Sequence, residues 1–346
     1  MLYFYKESED ATLKLYRVYG EYSEVTLPER IRGKEISEIA AYCFSDRERD
    51  VEEGVWLYDD AEGKKPVFVG STKVQIPDRY HVLAGRYLEK VTLPATVRKI
   101  GDFCFYNCTK LYELSFHKNL ENVGSDVFMN CMNLHRVCIY ANEREKTVLR
   151  RVLSQIKWDV EVRFETEGKV TAALLYPEYV EGYNEIGPAH IFGLNITGEG
   201  VRARQCFADE RVAFAEYDRI FEKACAEESN SVLWHMAFLR LYFPIELNEA
   251  DAKAYADFLL KNESTGLSLL WKKRKHYLYR LPLHKKLAIT KWMIREGYFT
   301  RETLEELIRY AGEKQWAEVA ARCIEWRQTY LEDKDVKAGR YDFEEF

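Results

Sequence analysis

Apolar and polar residues alternate in short runs along the first half of the chain, at Val91/Leu93, Leu114/Phe116, Val137/Ile139 and Val160/Val162. A period of two predicts strands that bury one face. The runs recur at an offset of 23, which sets Leu111-Tyr112-Glu113-Leu114-Ser115-Phe116 over Leu134-His135-Arg136-Val137-Cys138-Ile139. The same offset carries Leu88 onto Leu111, Ile100-Gly101 onto Val123-Gly124, Phe105 onto Phe128, and Asn107-Cys108 onto Asn130-Cys131. A fixed period of this size predicts a coil with one short strand per turn, each turn burying its apolar face against its neighbours. Leu114, Val137 and Val160 are then expected side by side in a parallel sheet. Gly101 and Gly124 are expected where a tight turn requires positive φ. Phe105 and Phe128 should plug the coil, the Asn amides should close the turns, and Cys108 and Cys131 should fill narrow gaps.

A less regular turn precedes these. Val25-Thr26-Leu27-Pro28 matches Val91-Thr92-Leu93-Pro94, and Ile39 to Phe44 matches Ile100 to Phe105. Between the two copies lies an irregular insert, residues 45–87, in which Val74-Gln75-Ile76-Pro77 reads as a degenerate strand. The pattern Leu93-Pro94…Ile100-Gly101-Asp102-Phe103-Cys104-Phe105-Tyr106-Asn107-Cys108…Leu111 resembles the BspA-type leucine-rich repeats, a bacterial class with 23-residue units. Arg30 to Ile39 resembles that class's usual first repeat, and the likeness spans roughly residues 13–164. It implies a right-handed solenoid with a binding role.

Residues 142–164 read as the coil's C-terminal cap, with an amphipathic helix from Asn142 to Leu153 and Asn142 as its cap residue. Residues 166–210, punctuated by Pro and Gly yet rich in aromatic side chains, read as an ordered connector. Apolar residues then recur at steps of three and four, which predicts an α-helical domain over 211–331. Asn248 and Thr300 are candidate caps, Pro244 a stop, Leu267–Tyr279 one helix, and the last helices have the lengths of a helix-pair stack. Residues 332–346 read as a mobile acidic tail. The fold class is thus α+β, a short parallel-stranded repeat solenoid in residues 1–165 followed by helices.

Composition narrows the function. With 47% apolar residues the chain can build real cores, and a net charge of −6 argues against a general nucleic-acid binder. No stretch approaches the ~18 apolar residues of a membrane helix. The eight cysteines sit mostly inside apolar runs and read as reduced core thiols. That points to the cytoplasm, or to export if an upstream signal was removed. Cys104, Cys108, Cys131, Cys138, His117 and His135 are conceivable metal ligands, but the repeat already explains Cys108 and Cys131, and no C-x2-C pair exists. No catalytic motif, cofactor motif or metal site is read, so no enzyme is expected. The expected function is protein–protein interaction with an unidentified partner, through the repeat sheet and the helical domain. The one candidate site is a basic run with interleaved aromatics: Lys272, Lys273, Arg274, Lys275, Arg280, Lys285 and Lys286. It reads first as the solvated face of a helix with Leu269, Leu270, Tyr277, Leu278 and Leu281 inward; it would also suit an acidic surface, or, as the alternative, a nucleic acid or an enzyme site in the helices.

Overall fold

The computed structural model describes residues 1–47, 55–59, 67–69, 76–186 and 191–332. They divide into two compact units, Met1–Glu227 and Glu228–Phe346. The proposed tail from 333 onward, and Val74 and Gln75 of the degenerate strand, lie outside the described residues.

The first unit is built on the period. Strands Glu24–Thr26, Lys90–Thr92, Glu113–His117 and Arg136–Tyr140 lie parallel and in register, joining Val25 to Val91 and Leu114 to both Val91 and Val137. Residues at equivalent places in successive turns therefore stack. A second column runs through Lys34–Ile39, Lys99–Ile100 and Asn122–Val123, pairing Ile39 with Ile100 and Ile100 with Val123. The coil interior holds a column of rings. Phe44 and Phe105 stack at 5.1 Å between centroids, and Phe105 and Phe128 at 5.8 Å, all fully buried. Each thiol below a ring makes a weak hydrogen bond one turn back: Cys108 Sγ to Phe44 O and Cys131 Sγ to Phe105 O, both 2.9 Å.

Two expectations about the turns change. Asn107 and Asn130 carry the positive φ, at 61° and 66°, a conformation Asn tolerates. The Asn130 amide also donates to Asn107 Oδ1 at 2.6 Å. Gly101 and Gly124 are not at positive φ. They are required because the backbones of adjacent turns press together: a Cβ on Gly101 would lie 2.4 Å from Ala41 N, and one on Gly124 2.6 Å from Asp102 N.

The last turn slips. Strand Val160–Thr166 joins the parallel sheet, but Val137 pairs with Val162 and Ile139 with Phe164, so Val160 is not the neighbour of Val137. This turn is two residues longer because it contains a helix, Leu149–Leu153. An even slip keeps the same residues facing inward, which is why the apolar pattern survived it. The helix is shorter than expected. Asn142 does not cap it; its Oδ1 accepts from Arg144 N at 3.0 Å in a preceding turn. The exposed edge is closed by Gln155, whose side-chain amide accepts from Val127 N and donates to Gly124 O, each at 2.8 Å. It imitates the peptide group that a further turn would supply.

Strand Lys169–Tyr176 turns back antiparallel on Val160–Thr166 and ends the parallel column. At the other end, Leu2–Glu7 pairs antiparallel with Leu13–Gly20 and with Val55–Asp59, which pairs in turn with Val67–Val69. Part of the insert thus extends the sheet edge. The segment read as a connector contains a two-stranded ribbon, Val180–Ile186 with Ile191–Thr197. Arg204 follows, buried at 6% exposure, with its guanidinium donating to Ile156 O, Pro177 O, Gly200 O and Trp158 O.

The second unit is helical. Helices Asn230–Tyr242, Glu249–Lys261, Leu283–Arg295, Arg301–Glu313 and Ala317–Trp326 have the expected places. Asn248 and Thr300 cap theirs, accepting from Asp251 N and Thr303 N. Leu267–Tyr279 is not one helix. A π turn, Ser268–Lys272, ends it; residues 273–276 carry no helix, and a 3-10 turn follows at Tyr277–Arg280. Four successive cations, Lys272 to Lys275, repel one another, while the break lets Leu269, Leu270, Leu278 and Leu281 all reach the interior.

Candidate functional site

The repeat sheet was expected to present a recognition face. Its outward row begins at Glu24 and passes through Lys90, Glu113 and Arg136 to Glu161, residues aligned by the strand register and alternating in charge. Glu113 meets Lys90 at 2.6 Å and Arg136 at 2.8 Å, and Glu161 pairs with Arg163. Burial acts to raise the Glu113 carboxyl, but its two cationic partners outweigh it and hold the group below the ordinary carboxylate range. Glu113 and Glu161 are 6% and 0% exposed. From Lys90 to Glu161 these charges are engaged with one another, so this part of the row is a cross-strand ladder and not open to a partner, while Glu24 at its end accepts from the Tyr112 hydroxyl. Its spacing was present in the sequence, since Glu113 and Arg136 stand one repeat apart.

Exposed large apolar side chains are scattered at Tyr22, Met129 and Met132, but on the ribbon they gather. Tyr183 pairs with Leu194, and Glu181 with Ile196, which places Tyr183, Leu194 and Ile196 on one face. Their exposures are 70%, 53% and 42%. Periodicity did not reveal the ribbon, because Gly182, Gly187 and Gly193 read as loop punctuation.

The basic run is split by the structure. Lys272, Lys273, Arg274 and Lys275, with His276, line a surface depression of about 620 Å³ completed by Tyr310 and Lys314. Lys272 pairs with Glu306, and Lys272 and Lys314 both sit over the Tyr310 ring, at 5.5 and 5.7 Å. Lys273, Arg274 and Lys275 are exposed. Lys314 was invisible to local reading because it comes from the end of a later helix. Arg280 and Lys285 are exposed but do not line the depression. Lys286 is not a surface residue. It is 8% exposed, with its ammonium 4.3 Å from the Tyr279 ring centroid and 5.5 Å from that of Trp271.

The conceivable metal ligands are likewise dispersed in role. Cys104, Cys108, Cys131 and Cys138 are buried free thiols, and the His117 ring packs on Tyr140 at 4.6 Å. His135 Nδ1 lies 2.7 Å from Asp159 O. Among the described residues no group of three or more His, Cys, Asp or Glu side chains gathers as a metal site. No described helix is long and apolar enough to cross a membrane.

The stacked Phe column, the thiols bonded to the turn before and the close-packed glycines all repeat with one period, and a comparison with known families places that period. Residues 79–148 match the family described as BspA type leucine rich repeat region (6 copies). The match ends near the last regular turn, so the BspA-type repeat accounts for the regular coil and leaves the helical unit to be read from its own residues. No curated protein and no solved structure matches the chain.

Proposed function

We propose that the chain is a protein-interaction module in which the BspA-type repeat is a rigid scaffold and the Val180–Thr197 ribbon carries the contact face. The observation behind this reading is the Tyr183/Leu194/Ile196 face, three large apolar side chains adjacent on two paired strands and left to solvent. Such a patch costs solubility unless a partner covers it. The test is affinity capture from a lysate of the source cell with the wild-type chain and with the Tyr183→Ser/Leu194→Ser/Ile196→Ser variant. A protein held by the first and lost from the second supports the reading. An identical captured set from a folded variant removes the ribbon from consideration.

A second reading concerns the helical unit. Lys273, Arg274 and Lys275 carry no ion pair among the described residues and sit together on the depression. This favours an acidic protein segment as a second partner. Retention on heparin that falls with salt, and is lost in Lys273→Glu/Arg274→Glu/Lys275→Glu, is the expected result. Unchanged retention in that variant would remove this reading.

A further inference from the structure

Lys286 makes no ion pair among the described residues. Its ammonium is buried beside two aromatic rings, and no carboxylate among the described residues comes within ion-pair distance. Burial pushes this amine below the ordinary lysine range. A desolvated cation without a counter-charge is costly to keep, and the rings compensate only part of the lost hydration. The side chain lines a pocket of about 360 Å³.

The rest of that pocket is suited to an anion with an apolar body. Trp316, half-buried, and Leu283, exposed, supply the open apolar wall, while buried Trp271 packs behind with its ring centroid 5.9 Å from that of Trp316, and buried Val319 completes the lining. The Trp271 ring is fixed in place, because its Nε1 donates to Thr290 Oγ1 at 3.1 Å, and Thr290 in turn donates to Lys286 O. Two helices begin at the pocket. Leu283 opens one of 13 residues and Ala317 one of 10, and neither start has a side-chain cap. Each start carries the positive end of a helix dipole, offset in part at Ala317 by Glu318 in the first turn. Glu318, exposed at the rim and unpaired with Lys286, opposes a second negative charge.

We propose that this pocket binds a small organic monocarboxylate with a flat apolar body, its carboxylate on Lys286 and its body against Trp316 and Leu283. The site is independent of the ribbon and of any partner it binds. The probe is phenylacetate, titrated into the full chain by calorimetry, with phenylacetamide as its uncharged counterpart. Saturable binding of phenylacetate is expected, with phenylacetamide weaker by about tenfold or more. Lys286→Met should reduce phenylacetate affinity by a similar factor and leave phenylacetamide nearly unaffected. Ala317→Trp, at an exposed position on the lining, should close the pocket with Lys286 still in place and abolish binding of both. The proposal is overturned by an absence of saturable phenylacetate binding, by equal affinity for acid and amide, or by unchanged affinity in folded Ala317→Trp. This last variant decides the matter even if Lys286→Met does not fold.

Discussion

The Phe105 ring lies 5.8 Å from the Phe128 ring at an interplanar angle of 9°, one turn of the coil apart. Phe105 also stacks on Phe44, so it has a ring on either side. Replacing Phe105 by Ala should cost about 3–5 kcal/mol, the usual range for a buried aromatic. Phe128→Ala should cost the same or less, since only one stacking partner is lost. Urea denaturation of the two variants measures the difference; a loss under about 1 kcal/mol at Phe105 would contradict a core role.

Glycine substitutions should separate close approach from flexibility. Gly124→Ala forces a Cβ to within 2.6 Å of the Asp102 backbone nitrogen, so the turns must part, and a loss of about 2 kcal/mol or more is expected. Gly312→Ala meets nothing within 4 Å and lies in the helix Arg301–Glu313, where it should stabilise by up to about 1 kcal/mol. Thermal melts of both variants give opposite shifts.

Thiol labelling has a sharp expected pattern. Seven of the cysteines are buried, and burial pushes Cys43, Cys138 and Cys323 up to about 12. Only Cys225 is exposed. One thiol per chain should react rapidly with Ellman's reagent at neutral pH, and Cys225→Ser should remove that signal; the others should follow only on denaturation.

Arg204 holds four backbone carbonyls from three segments. Arg204→Met leaves those acceptors buried without donors and should cost about 3 kcal/mol or more. Arg204→Lys should rescue little, because an ammonium cannot reproduce the fork.

Acid should weaken the sheet ladder. The Glu113 carboxyl is held below its ordinary value of 4.5, so its contribution is fully present above that pH and is lost as pH falls through the depressed folded value. Urea midpoints should drop below about pH 4.5, and Glu113→Gln should start lower and fall less steeply. An equal slope in the variant would assign the acid sensitivity elsewhere.

The repeat was legible in the sequence because one offset had to satisfy many residues at once: Phe105/Phe128, Cys108/Cys131 and Leu114/Val137 agree on it independently. The slip in the last turn was not legible, because moving Val162 into the place of Val160 leaves the same face inward. The role of Gly101 was misread because sequence records a missing Cβ but not whether φ or a neighbouring backbone requires it. The break after Lys272 escaped local periodicity, since the apolar residues on both sides fit one helix as well as two. Lys286 looked like its basic neighbours until Trp271, 15 positions earlier, was found against it.

The first turn of the coil joins the second by pairing Val25 with Val91, across 66 positions where the regular turns need 23. Closing the longer span costs only about 1 kcal/mol more in chain entropy, because that term grows with the logarithm of length. Its effect on folding order should be larger. Turns with short-range contacts can assemble by adding neighbour to neighbour, whereas the first must return from a distance. The regular turns are therefore expected to form first, with the N-terminal strands docking onto a template already built. Within the longer span, the insert after Phe44 becomes a place where chain length can change at small entropic cost, while the coil on either side keeps its register.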